Sequence, residues 1–406
     1  MELTLLGTGG PEGLPVPDCP CAACACATGV HARAATAVLV DGTLLIDLTP
    51  GLAFSAARAG RSLTGVRQVL LSHPHDGPAV EIPAGLPAPV RVLAGQEPAL
   101  ISGHRVTAVP VDAPGSGYVV EGPGGERLLY LPPGCGPAGL AGPVEGSYAY
   151  EMVLLDAVER PDALARLRAA GAVDKATDVI AVHLGHSVPP GAELRRRLAA
   201  LGARAVPDGT SLTTGEYAEV PDLPRRTLVL GGARSGKSVE AERRLAAFPD
   251  VLYVATSGNR SGDAEWAQRI ALHRERRPGS WQTVETCDLV PLLAGGQEEP
   301  ALLIDCLALW LTDAMDAVGA WNDEVWANGG RRELRARVDE LAAAWRATRR
   351  TAVAVSNEVG SGVVPATASG RRFRDELGRL NAAVAAESEH VLLVVAGQAL
   401  PLRPAG

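Results

Sequence analysis

Apolar residues in the first half of the chain come in short runs separated by Gly and Pro. The runs Glu2–Leu6, Thr36–Val40, Thr43–Asp47, Gln68–Ser72, Arg127–Leu131, Met152–Asp156 and Val179–His183 read as strands. Pro161–Ala170 and Gly191–Leu201 carry helical spacing instead. Strands and helices mixed in this way predict an α/β or α+β sandwich with loop-rich edges. The stretch Ala218–Pro224, AEVPDLP, has two prolines, two acids and no periodicity, and reads as a linker.

Beyond it the rhythm becomes regular. Strand Thr227–Gly231 runs into a Gly-rich turn and a helix to about Ala247. Strand Val251–Thr256 precedes a helix over Asp263–Arg276, and strand Ala301–Asp305 precedes a helix over Leu307–Val318. Helices Arg331–Arg349 and Ser369–Glu387 lead into strands Thr351–Val355 and Val391–Ala396. Alternating apolar strands and amphipathic helices predict a mostly parallel sheet covered on both faces. The expected organisation is therefore two α/β domains, 1–217 and 226–406, joined by a linker at 218–225.

Composition narrows the class. With 406 residues, 47% hydrophobic and 21% charged, the chain has the make-up of a globular protein of two or three domains. A net charge of -8 leaves no footprint for nucleic acid. No apolar run is long enough for a transmembrane helix, and the start, MELTLLGTGG, lacks the features of a secretory signal, so a cytoplasmic protein is expected. Four of the seven cysteines, Cys19, Cys21, Cys24 and Cys26, fall in one short stretch. In a reducing compartment such a cluster binds metal more often than it forms disulfides.

The sharpest chemical signal is Gly231-Gly232-Ala233-Arg234-Ser235-Gly236-Lys237-Ser238, which fits G-x-x-x-x-G-K-[ST] between a strand and a helix. Backbone N–H groups and the helix N-terminus suit phosphate oxygens. Lys237 is placed for the outer phosphates and Ser238 for Mg²⁺. A carboxylate is expected at the end of a neighbouring strand, and Asp305 stands in that position; a helix-capping aspartate is the plain alternative. On the helix expected over 263–276, Arg269, His273 and Arg276 fall on a stripe roughly 60° wide. Two guanidiniums beside an imidazole disfavour its protonation and can hold phosphate, an arrangement suited to covalent attack on a nucleotide α-phosphate. Taken alone, a helical histidine is more often solvated surface.

Ala255-Thr256-Ser257, Arg269-Ile270, His273, Arg277-Pro278, Trp281, Glu285, Asp305, Asn357-Glu358-Val359-Gly360 and Phe373-Arg374-Asp375 with Gly378-Arg379 and Asn381 follow the P-loop in order. Over about 175 residues this series resembles the bifunctional adenosylcobinamide kinase / adenosylcobinamide-phosphate guanylyltransferase family of cobalamin synthesis. The resemblance implies two reactions: phosphorylation of adenosylcobinamide by ATP or GTP, then guanylylation of His273 by GTP and passage of GMP to the cobinamide phosphate. It also implies GTP contacts at Thr256, Ser257, Arg274 to Arg277, Glu285 and Asp305, and a homo-oligomer, possibly a trimer, that takes a corrinoid substrate. Departures are a polar Gly-Asn-Arg-Ser-Gly loop after Ser257 and an aspartate at 305 where some relatives have glutamate. A GTP-dependent binding or regulatory protein is the competing reading, and labelling of His273 separates the two.

In the first half, Leu6-Gly7-Thr8-Gly9-Gly10, Leu45-Ile46-Asp47, Leu71-Ser72-His73-Pro74-His75-Asp76, Val182-His183-Leu184-Gly185-His186 and Asp208-Gly209 resemble the metallo-β-lactamase fold, with the cyclic-phosphate phosphodiesterase of phosphonate breakdown as the nearest pattern. That resemblance implies an αββα sandwich and a structural zinc on Cys19, Cys21, Cys24 and His186, with Cys26 as a substitute ligand. Of the catalytic metal ligands only His73, His75 and His183 match. The motif's remaining positions fall on Gly77 and Pro78, near Ala113 and near Pro133, none of them ligands. A working dinuclear hydrolase is therefore not expected; Asp76 and Asp112 stay open as shifted ligands, and with them an additional active metallo-hydrolase.

Overall fold

The computed structural model describes residues 1–74, 82–93, 96, 102–139, 149–216, 223–256 and 277–404. The chain divides into two compact units, Met1–Pro221 and Asp222–Gly406. The expected helix over 263–276 and most of the linker, 218–222, lie outside the described residues.

In the first unit, β1 (Glu2–Gly7), β2 (Ala37–Val40), β3 (Leu44–Ile46) and β4 (Gln68–Leu70) are followed by β5 (Arg105–Val109), β6 (Gly117–Glu121), β7 (Arg127–Tyr130), β8 (Met152–Leu155), β9 (Asp178–Ala181) and β10 (Ser211–Thr213). They form two five-stranded mixed sheets, ordered β10-β1-β2-β3-β4 and β5-β6-β7-β8-β9. Alternation along the strands builds the layers. Leu3, Leu5, Val38, Val40, Leu44 and Ile46 of one sheet meet Val106, Tyr118, Val120, Leu128, Tyr130, Leu154 and Ile180 of the other in a shared core. Leu6, Leu39 and Leu45 point the opposite way, onto Leu52 and Ala56 of a helix, Leu52–Arg58. On the second sheet, helix Pro161–Ala169 connects the parallel neighbours β8 and β9 and buries Ala163, Leu164 and Leu167. A crossover between adjacent parallel strands has to lie over a sheet face. Helix, sheet, sheet, helix is the αββα arrangement.

The second unit has one seven-stranded sheet of β11 (Arg226–Gly231), β12 (Val251–Ala255), β13 (Gln282–Glu285), β14 (Ala301–Asp305), β15 (Ala352–Asn357), β16 (His390–Val395) and β17 (Gln398–Arg403), ordered β13-β12-β14-β15-β11-β16-β17. All neighbours are parallel except the β16–β17 hairpin. Consecutive residues such as Leu228 and Val229, or Leu302 and Leu303, point to opposite faces and are all buried, so both faces are covered. Helix Lys237–Leu245 packs on β11, β14, β15 and β16; helix Leu307–Ala317 packs on β15 and against helices Arg331–Ala347 and Ala368–Ala386. Phosphate-binding turns lie at the C-terminal ends of parallel strands, which here means the edge at Gly231, Ala255, Asp305 and Asn357.

Candidate functional site

At the end of β11 the chain turns sharply into helix Lys237–Leu245. Gly236 sits at φ +98°, a left-handed conformation that favours glycine. A Cβ on Gly231 would come 2.7 Å from the Val394 carbonyl oxygen. The Gly397 N–H, in the β16–β17 turn, donates to the Ser235 carbonyl at 2.8 Å and buttresses the loop. Arg234 is exposed at φ +58°, Ser238 is half-buried, and the Lys237 ammonium donates to the Gly232 carbonyl at 3.2 Å. Lys237 thus folds back over the loop and is held by one of its carbonyls.

Asp305 ends β14, and its strand is not the neighbour of β11: β15 lies between them. Sequence spacing alone cannot order strands, so the expected adjacency is corrected to a placement with one strand between them. Asp305 still faces the same edge, and the positive charge of Lys237 is felt at Cys306 beside it. Burial is the main cause that pushes the Cys306 thiol up to about 11, so it stays protonated. Tyr253 donates its hydroxyl to Asp305 Oδ2 at 2.9 Å, and the Arg277 guanidinium lies 3.2 Å over the Tyr253 ring. Thr256 uses its hydroxyl as a strap, donating to the Cys306 carbonyl at 2.6 Å and accepting from the Cys306 N–H at 2.9 Å. Glu285 ends β13, exposed and level with Ala255. Ser257, His273 and Arg274 lie outside the described residues.

Sequence reasoning passed over Tyr253, a strand residue with no motif of its own. It also assigned no role to Asn381, which accepts from Ser356 at 2.6 Å and donates to the Asn357 carbonyl at 3.0 Å. With Glu358 N–H bound to the Gly231 carbonyl, this locks the end of β15 to the start of the phosphate loop.

In the first unit, Cys19, Cys21, Cys24 and His186 bring their ligand atoms within 4.8 Å of one another. The three Sγ atoms lie 3.2, 3.8 and 3.6 Å from His186 Nδ1. A tetrahedral zinc with bonds of about 2.0–2.3 Å needs ligand separations of about 3.5–4 Å, so the donor set fits that ion. The local turn explains the gathering. Cys21 caps the short helix Ala22–Cys26 and accepts from the Cys24 N–H, while the Val16 N–H donates to Cys24. The Cys24 N–H lowers the Cys21 thiol to about 7. Cys26 ends the helix, exposed and outside this group.

The other residues singled out in the first unit are engaged by protein groups. Asp47, fully buried, accepts from the Ser72 N–H at 2.7 Å, the Ser72 hydroxyl at 2.6 Å and the Tyr130 hydroxyl at 2.6 Å, with His73 Nδ1 at 3.6 Å. His183 Nε2 donates to the Leu131 carbonyl at 3.0 Å, and the ring sits edge-on to Tyr130. Burial drives its pKa down to about 4, so the ring is neutral. Asp112, considered as a shifted ligand, is clamped by Arg160 at 2.7 Å, Arg166 at 2.7 Å and the Gly136 N–H at 2.8 Å. These partners, Arg160 foremost, hold its carboxyl far below the usual range and commit it to pinning the 134–137 loop. His75 and Asp76 lie outside the described residues.

Comparison with solved structures places beside the first unit a diphosphatase of the PhnP family, 20% identical with a TM-score of 0.39, covering 54% of this chain and 99% of that one. Zn²⁺-bound PqqB from Methylobacterium extorquens is 16% identical with a TM-score of 0.37, covering 52% and 100%. Residues 227–402 match the family model described as cobinamide kinase / cobinamide phosphate guanyltransferase. The bifunctional adenosylcobalamin biosynthesis protein CobU of Salmonella typhimurium LT2 is 39% identical over 181 residues, 42% of this chain and 95% of that protein. CobP of Pseudomonas aeruginosa PAO1 is 41% identical over 182 residues, 44% of this chain and 97% of its own length. The family model thus begins in the phosphate-loop strand and ends in the last strand of the same sheet, the relatives align over nearly their whole length, and through this part the chain belongs to the cobinamide kinase / cobinamide phosphate guanyltransferase family.

Proposed function

We propose that the second unit phosphorylates adenosylcobinamide with ATP or GTP and then transfers GMP from GTP to the product through a covalent nucleotide on His273. The observation that carries this reading is the strand–loop–helix of Gly231–Ser238 inside a match that spans nearly the whole length of bifunctional cobalamin-synthesis enzymes. In the first step Lys237 and the loop amides hold the outer phosphates while the acceptor hydroxyl attacks the γ-phosphorus. In the second, a His273 ring nitrogen bonds to the α-phosphorus of GTP and the bond to the β-phosphate oxygen breaks, releasing pyrophosphate. A phosphate oxygen of the cobinamide phosphate then attacks that phosphorus and frees the histidine, giving adenosylcobinamide-GDP. The Ser238 hydroxyl and the Asp305 carboxylate are hard oxygen donors of the kind Mg²⁺ takes, and the ion when bound would offset phosphate charge. Arg274, Arg277, Ser257 and Glu285 are assigned to the guanine nucleotide on the strength of the family pattern, and a homo-oligomer, possibly trimeric, on the same ground.

For the first unit the supported role is a metallo-β-lactamase-like scaffold with one structural zinc on Cys19, Cys21, Cys24 and His186. His183 gives its Nε2–H to the Leu131 carbonyl, and the motif positions at Ala113 and Pro133 offer no ligand atoms, which supports the reading that no dinuclear hydrolytic centre forms. Among the described residues no helix is long and apolar enough to cross a membrane. Incubation with α-labelled GTP tests the covalent step: label should stay on the protein through base and be lost in acid, and His273→Ala should retain none. Label that survives in His273→Ala refutes the assignment.

A further inference from the structure

We propose that Tyr253 is a positioning residue: it orients the Asp305 carboxylate for the nucleotide's metal ion and couples it to Arg277, four residues beyond His273 in the chain. The inference rests on the function proposed above. Tyr253 pairs with Leu303 across β12 and β14, which puts it on the same sheet face as Asp305, two residues further on. Its hydroxyl reaches Asp305 Oδ2 at 2.9 Å. A buried ring at this position would be served as well by phenylalanine, since a hydroxyl taken from water costs stability unless it is bonded. What the hydroxyl adds is direction: it holds one carboxylate oxygen and thereby sets where the other faces.

The second contact extends the line. The Arg277 guanidinium stacks on the Tyr253 ring at 3.2 Å from its centroid, with Nε 3.7 Å from Glu242 Oε1. The Arg277 and Glu242 side chains are 7% and 13% exposed. Glu242 lies on the helix that starts at the phosphate loop. One series of contacts, Glu242–Arg277–Tyr253–Asp305, therefore runs from that helix to the strand-end carboxylate. A cation over the ring face draws electron density from the phenol and strengthens its O–H as a donor. Burial and the nearby Asp305 charge both raise the phenol's pKa, so it remains the protonated donor.

The test uses the full chain and the variants Tyr253→Phe, Asp305→Ala and the double variant. Mn²⁺ serves as the probe, its free-ion EPR signal titrated in the presence of a non-hydrolysable GTP analogue. Loss of a hydrogen bond to a charged group corresponds to about tenfold weaker binding. Tyr253→Phe should show that loss at an unchanged melting temperature, and raised Mg²⁺ should restore its rate of GMP transfer. The double variant should bind Mn²⁺ no more weakly than Asp305→Ala. Wild-type Mn²⁺ affinity in Tyr253→Phe, or additive losses in the double variant, would overturn the proposal. If the wild-type chain never acquires labelled GMP, the proposed function fails instead, and the Mn²⁺ titration still reads the role of Tyr253.

Discussion

Asp156 offers a stability test whose sign depends on pH. It ends the run that forms β8 and is 4% exposed. Burial is the largest cause that raises its pKa from 3.8 to about 6, against the opposing pull of the Glu159 N–H, which donates to Oδ1 at 3.1 Å. Below about pH 4 the folded and unfolded chains both hold the proton, and the residue carries no ionisation penalty. Between about pH 4 and 6 the unfolded chain releases its proton first, so stability falls as pH rises. Above about pH 6 the loss is complete: about two pKa units at about 1.36 kcal/mol each, or about 3 kcal/mol. Asp156→Asn keeps Oδ1 for the Glu159 N–H and cannot ionise. Any constant offset from the amide is the same at all pH values, so the decisive quantity is the change in the variant's relative stability between pH 4 and pH 7.5. That change should favour the variant by about 3 kcal/mol, or about 6–12 °C in melting temperature for a unit of this size. The units can be followed separately, because all six tryptophans lie in the second, while Tyr118, Tyr130 and Tyr150 lie in the first. Tyrosine absorbance should report the shift, and tryptophan fluorescence should not. Parallel stability–pH curves for the two proteins would refute the reasoning.

Two further outcomes follow from the sites. Cys24→Ser should reduce bound zinc from about one per chain to a small fraction and lower the melting temperature of the first unit, as read by metal analysis and tyrosine absorbance; about three zinc ions per wild-type chain would instead indicate a dinuclear centre in addition. Lys237→Ala should slow nucleotide-dependent phosphorylation of adenosylcobinamide by about a hundredfold or more with the melting temperature unchanged, and a full rate would remove Lys237 from the phosphate site.

The phosphate loop was legible because its chemistry is local: eight consecutive residues, a strand before and a helix after, fix both conformation and ligand class. The mixed α/β character of the first unit was legible from short apolar runs broken by Gly and Pro, whereas its αββα layering came only with the resemblance, because β1, β2 and β3 are buried almost throughout and show no alternation. Strands β5, β6, β10, β13 and β17 were passed over. The run of β5 alternates exposed Arg105 and Thr107 with buried Val106 and Ala108, too weak a signal between Gly-rich stretches, and β17 is an edge strand with exposed Leu400 and Leu402. The separation of Asp305 from the phosphate-loop strand depends on β15 inserting between β14 and β11, which no local pattern encodes. Tyr253 was invisible for the same reason: only the pairing of β12 with β14 turns an ordinary strand tyrosine into a partner of Asp305.

The residues around His73 show the opposite limit, where a legible pattern leaves the partners of its side chains undetermined. Among these residues the Asp47 carboxylate is fully buried and needs donors to offset its charge. Here the same buried aspartate, Asp47, accepts three protein hydrogen bonds, two from Ser72 and one from Tyr130, and the neutral His183 ring gives its Nε2–H to a backbone carbonyl. The donors to Asp47 answer a physical need, because a buried carboxylate without donors is strongly destabilising. Asp112 is answered in the same way by ion pairs to Arg160 and Arg166, which also donate to the Gly134 and Pro137 carbonyls and so fasten the 134–137 loop. The network holds these buried polar groups in place within the first unit, while the cysteine cluster, gathered by a local turn and one distant histidine, has the geometry of a closed tetrahedral set.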